Sequence, residues 1–143
     1  MLLLQNEEKF KFDKNRLENI AQKLSNKDIE LVIVNDKDMR ELNLKSRGVD
    51  KSTDVLSFPL EEIKHAPLGS IVINKDKVID VSNNLSHTIE EEMSLLFIHG
   101  LLHLLGYDHE NDDGEMRKKE EETIKDFNLP QSLILRVENQ WSI

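Results

Sequence analysis

The chain has 143 residues, 38% of them hydrophobic and 33% charged, and a formal net charge of −9 at neutral pH. This is the profile of one globular domain spanning residues 1–143, long enough to bury about two thirds of the surface its unfolded chain would expose. No cysteine is present, which excludes disulfides, thiolate metal sites and a cysteine nucleophile. The opening Met1–Glu7 segment lacks the basic start and long apolar stretch of a signal peptide. No run reaches the roughly 18 apolar residues of a membrane span, so a cytoplasmic protein with no membrane partner is expected. Attraction to phosphate backbones needs clustered Lys and Arg; with this acidic balance, a nucleic-acid substrate would need a locally basic cleft.

In chain order, residues 2–5 read as a short strand. Leu17, Ile20, Ala21 and Leu24 keep the spacing of an amphipathic helix over 14–24. The β-branched run Ile29–Val34 reads as a buried strand. Asn35 is placed to cap a short helix over about 36–44. Val55–Phe58, closed by Pro59, suits a strand at a sheet edge, and Leu68–Ile73 reads as another strand. A helix over about 75–84 follows. Thr88 and Glu91 have the spacing of a capping box, opening a long helix that is apolar nearly all round in its second half and so belongs at the centre of the fold. After a loop over 110–114, residues 115–127 form an amphipathic helix with Met116, Thr123, Ile124 and Phe127 inward. Beyond Leu129 the reading is ambiguous, although Leu133, Leu135 and Val137 alternate as in a strand. No repeat or linker divides the chain. The expectation is an α+β fold, a small mixed β-sheet packed against several helices, with the central apolar helix carrying metal ligands.

That helix holds the most telling feature. His99, His103 and His109 place three of the five histidines within eleven residues. His99 and His103, four apart on a helix, share a face with Cβ atoms about 6 Å apart, and two imidazoles so placed can converge on one ion. Gly106 can stop the helix in a left-handed conformation, letting the chain turn back to offer His109. Three protein ligands leave a tetrahedral zinc one position for water, as in catalytic sites. A single histidine on an apolar helix is ordinarily a hydrogen-bonded core residue, but three in this pattern favour one bound ion, zinc or another divalent transition metal. A structural zinc would need a fourth protein ligand; Asp108 is a candidate, although it reads more simply as a turn residue or as a group orienting an imidazole. His65 and His87 stand apart and are expected on the surface. The H-x3-H-x5-H spacing with its turn glycine matches metzincin proteases, but their general-base glutamate is here Gly100, so peptide hydrolysis by that route lacks its proton acceptor.

Residues 44–54 form a second segment of interest. Lys45, Arg47 and Lys51 gather three cations in what reads as a loop between a helix and a strand. By itself this is an ordinary solvated loop. Beside a metal site, Arg47 becomes a candidate phosphate ligand through its bidentate guanidinium, with Lys51 as a further substrate-binding cation.

Three stretches together resemble the YbeY family of metal-dependent endoribonucleases: H-G-x-L-H-L-x-G-Y-D-H from His99 to His109, Arg47-Gly48 with Thr53–Pro59, and Leu68–Ile73. The likeness covers about residues 28–128. It implies one metal ion per chain, usually zinc, held by His99, His103 and His109, and a catalytic or RNA-contacting arginine at Arg47. It also implies hydrolysis of RNA phosphodiesters in small-subunit rRNA maturation and ribosome quality control, with rRNA and the small subunit as partners. In this reading His99 serves the chemistry through the metal and Arg47 stabilises the growing charge. The proton acceptor stays open between metal-activated water, Asp108, Glu110 and the substrate 2′-OH. Two rivals remain: a zinc-stapled ribosome assembly factor without catalysis, and a peptidase-like zinc hydrolase. The family usually has proline at position 52 and aspartate at position 70, where this chain has Ser52 and Ser70. Ser52 is expected to loosen the loop presenting Arg47.

Overall fold

The computed structural model describes residues 1–60, 66–108 and 111–130. The elements run β1 (Leu2–Gln5), α1 (Lys14–Leu24), β2 (Ile29–Val34), α2 (Asp36–Arg47), β3 (Val55–Pro59), β4 (Gly69–Asn74), α3 (Lys75–Leu85), α4 (Ile89–Leu104) and α5 (Glu115–Asp126). The fold is α+β, with a four-stranded sheet in the order β1-β2-β4-β3. β1, β2 and β4 are parallel, and β3 runs antiparallel to β4 at an edge, where Pro59 is tolerated. His65 and the alternating Leu133, Leu135 and Val137 lie outside the described residues.

β2 shows why the sheet has two unlike faces. Ile29, Leu31 and Ile33 are buried, whereas Glu30, Val32 and Val34 are only half-covered. The first face joins Ile71 and Ile73 of β4, Leu17 and Ile20 of α1, and Leu96 and Phe97 of α4 in the main core. The second carries a smaller cluster of Met39, Leu56 and Val72 beneath α2. Helix α4 packs against β3, β4, α1, α3 and α5, and every residue from Glu92 to Leu102 is buried. Its start follows the expected capping box: Thr88 Oγ1 accepts from the Glu91 backbone N–H at 3.0 Å, and the Glu91 carboxylate accepts from the Thr88 N–H at 2.8 Å.

Two glycines let α4 approach the sheet. A Cβ on Gly69 would lie 2.5 Å from the Phe58 carbonyl and 2.7 Å from a Leu104 methyl. A Cβ on Gly100 would meet an Ile71 methyl at 2.9 Å and Ser57 Oγ at 3.1 Å. Ser57 Oγ instead donates to the Gly100 carbonyl at 3.0 Å, tying β3 to the helix between its two histidines.

Helix α2 runs three residues further than the sequence reading placed it, so Lys45 and Arg47 lie in its last turn and not in a loop. The stop is Gly48, in the left-handed region at φ 70°, whose N–H reaches the Leu44 carbonyl at 3.0 Å. Cations in a last helical turn also suit the helix dipole. The segment after Gly48 folds back along α2: Arg40 grips Asp50 in bidentate fashion at 2.8 and 3.2 Å, and Asn43 Nδ2 donates to the Lys51 carbonyl at 2.8 Å. Ser52, expected to slacken this segment, anchors it by donating to Asp36 Oδ1 at 2.7 Å. A proline at position 52 could not make that bond.

The hub is Asn74, fully buried at the end of β4. Its Nδ2 faces Asp36 Oδ1, Ser52 Oγ and the Thr53 carbonyl at 2.9–3.1 Å, while its Oδ1 caps α3 through the Asp76 and Lys77 N–H groups. The hydrogen bonds from Ser52 and then Asn74 hold the Asp36 carboxyl below its ordinary 3.8. A depressed carboxyl pKa stabilises the fold above the unfolded value, and that contribution is lost as pH falls through the folded one.

Two stability outcomes follow. Gly69→Ala, which forces a Cβ onto backbone, should cost about 1–3 kcal/mol in urea unfolding. Asn74→Ala should cost about 2 kcal/mol near pH 7 through the lost cap and stranded partners, and its deficit relative to wild type should shrink below about pH 4, as Asp36 protonates first in the variant and at lower pH in wild type.

Candidate functional site

Helix α4 carries His99 and His103 on one side and ends at Leu104. Gly106, at φ 98°, then reverses the chain, and the Tyr107 N–H closes onto the Leu102 carbonyl at 3.0 Å. This reversal brings the Tyr107 carbonyl to 3.1 Å from His103 Nδ1. From the other side, α5 brings Glu120 Oε1 to 2.9 Å from His99 Nδ1. His99 and Glu120 are both buried, whereas His103 is partly open.

These partners decide the tautomers. A carbonyl oxygen and a carboxylate only accept, so both Nδ1 atoms donate, and each neutral ring then keeps a lone pair on Nε2. The two Nε2 atoms face each other 3.2 Å apart, with the rings edge to face at 84°. Two lone pairs so placed repel unless a positive centre lies between them. Zn–N bonds of about 2.0–2.1 Å in tetrahedral geometry put two ligand nitrogens about 3.3–3.4 Å apart, so the spacing fits a shared divalent ion. Among the described residues no group of three His, Asp or Glu side chains encloses a metal position. The expected third ligand, His109, lies outside the described residues, as does Glu110.

Sequence reasoning found the histidine pair but missed both groups that orient it. Glu120 lies on the inward stripe of α5 with Met116, Thr123 and Ile124, and a carboxylate on an apolar stripe was the available signal. Asp108 takes up the turn role that was one of its expected readings: its carbonyl accepts from the Asn111 N–H at 3.1 Å and its Oδ2 from Asn111 Nδ2 at 2.5 Å. His87, expected on the surface, is half-buried. The tight seat of Gly100 also has chemical meaning. With no room for a Cβ there, the position that holds the general base in metzincins cannot carry a glutamate without shifting the helix from the sheet.

Arg47 and Lys51 are exposed, and neither makes an ion pair among the described residues, in contrast to Arg40 and Lys75. Among the described residues no hydrogen bond links either of them to the histidine pair. Ser70 stands opposite Glu30 in the β2–β4 register and donates to its Oε1 at 2.9 Å. An aspartate at position 70 would set two carboxylates side by side there.

The family profile described as Endoribonuclease YbeY matches residues 3–128, a longer span than the sequence motifs alone marked out. Proteins named Endoribonuclease YbeY from Campylobacter jejuni strain RM1221 and Helicobacter pylori strain Shi470 are 62% and 55% identical, over 84% and 97% of this chain and 90% and 100% of their own. One from Nitratiruptor sp. is 57% identical over 87% of each chain. The solution structure of TM1509 from Thermotoga maritima shares the fold with a TM-score of 0.60, at 30% identity over 89% of both chains. With the family profile covering most of its length, the chain belongs to the YbeY endoribonuclease family.

Proposed function

We propose that the chain is a single-metal endoribonuclease that hydrolyses phosphodiesters in single-stranded segments of small-subunit rRNA, in the cytoplasm, during rRNA maturation and ribosome quality control. The observation that carries this reading is the pair of Nε2 atoms facing each other at 3.2 Å while an acceptor oxygen lies beside each Nδ1. His99 and His103 would hold the ion, with His109 as third ligand. An all-imidazole donor set suits zinc and admits other divalent transition metals. When bound, such an ion supplies Lewis acidity toward a phosphoryl oxygen and makes water more acidic.

The remaining work falls to the chain. Arg47, which makes no ion pair among the described residues, is suited to pair with phosphate oxygens and to stabilise charge that grows in the transition state. Lys51, held by Asn43 through its backbone, adds a cation for the strand entering the site. Lys45, Arg47 and Lys51 supply local positive charge on a chain of net charge −9, and a small-subunit partner that presents the RNA would offset the remaining repulsion. The peptidase alternative is disfavoured by the seat of Gly100, which excludes the glutamate that route requires.

Elemental analysis should find about one zinc per wild-type chain and none retained by His103→Ala, which should also fail to cleave rRNA. Arg47→Ala should keep the metal while cleavage falls about 10²–10³-fold; unchanged activity would remove Arg47 from the mechanism. If chelation lowered the melting temperature while the metal-loaded protein cut no RNA, the metal would be a staple and the catalytic reading would fail.

A further inference from the structure

Glu120 stands out on α5. Its neighbours on the inward stripe, Met116, Thr123 and Ile124, bury apolar groups, yet Glu120 is itself only 2% exposed. A carboxylate withdrawn from water at that depth costs far more than an apolar residue in the same place, so packing alone does not account for it. Its Oε1 lies 2.9 Å from Nδ1 of His99, which is 5% exposed and 21 residues away in sequence.

We infer that Glu120 is the positioning residue of the metal centre: its carboxylate accepts from the His99 Nδ1–H and thereby turns the Nε2 lone pair toward that of His103. This inference rests on the metal-centre reading above. The two histidines are oriented by unlike means. His103 takes its tautomer from a main-chain carbonyl at the Gly106 reversal, which no substitution of a side chain removes. His99, buried within α4, meets at Nδ1 a side chain delivered by another helix, the Glu120 carboxylate at 2.9 Å. A carboxylate there also raises the basicity of the imidazole toward a cation, which a neutral acceptor does less well.

The test compares wild type, Glu120→Leu and Glu120→Gln. Zinc affinity is measured by competition with a chromophoric chelator, and the melting of each metal-free protein is followed separately. Glu120→Leu should bind zinc about 10–100-fold more weakly while the metal-free protein melts no lower than wild type. Glu120→Gln, which keeps an acceptor oxygen, should recover much of the loss. A purely structural Glu120 would show the reverse: lower melting of the metal-free leucine variant with zinc affinity within twofold of wild type, and that result would overturn the inference. Should the leucine variant fail to fold, nitrogen-15 NMR of the metal-free wild type decides the matter. His99 protonated on Nδ1 and bare on Nε2 supports the role; a proton on Nε2 refutes it. If wild type itself bound no zinc, the proposed function would fall along with this inference. Tight wild-type binding with an indifferent Glu120 would sink the inference alone.

Discussion

A helix that is apolar on nearly every side has to be surrounded, and most of this fold is the means of surrounding α4. The sheet covers one flank, α1, α3 and α5 cover others, and α4 reaches the sheet only because Gly69 and Gly100 carry no Cβ at the two closest points. At that approach the backbone of β3 and the helix are joined by a side-chain hydrogen bond from Ser57 to the Gly100 carbonyl. Tight packing of this kind leaves little room for adjustment, so residues on either side of Gly100 are held in place by the whole core. His99 and His103 are those residues.

Burial then imposes a second requirement. A polar ring inside such a helix must find partners, and the partners it finds determine what its remaining nitrogen can do. Glu120 and the Tyr107 carbonyl occupy the Nδ1 atoms, which leaves the Nε2 atoms converging on a single point. Core packing and the orientation of the two imidazoles are thus one arrangement. The tightness that excludes a side chain at Gly100 also separates this centre from the metzincin pattern, whose histidine spacing it shares but whose general base it cannot accommodate.

The cationic segment is organised by a different principle. Beneath it lies only the smaller hydrophobic cluster around Met39, Leu56 and Val72, and it is fixed by polar contacts: Arg40 to Asp50, Asn43 to the Lys51 carbonyl, Ser52 to Asp36, and the Asn74 amide among Asp36, Ser52 and the Thr53 carbonyl. Such a segment is shaped by its backbone while Arg47 and Lys51 keep their side chains in solvent. Ser52 and Ser70 each donate to a carboxylate from another segment, Asp36 and Glu30 respectively.

Much was legible in the order of residues alone. Periodicity marked the helices, the β-branched runs marked the strands, Pro59 marked an edge, and Thr88 with Glu91 marked the start of α4, because each of these signals is local and acts within a turn or two of chain. The i, i+4 histidines were legible for the same reason, since helix geometry alone puts them on one face. The end of α2 was misplaced by three residues because a left-handed Gly48 is one of several plausible stops until the carbonyls it caps are seen. The partners of the histidines, the clash that reserves position 100 for glycine, and the ties of Ser52 and Ser70 across 16 and 40 residues depended on tertiary structure. Contacts between distant segments leave no periodic trace, and only packing decides which distant group arrives.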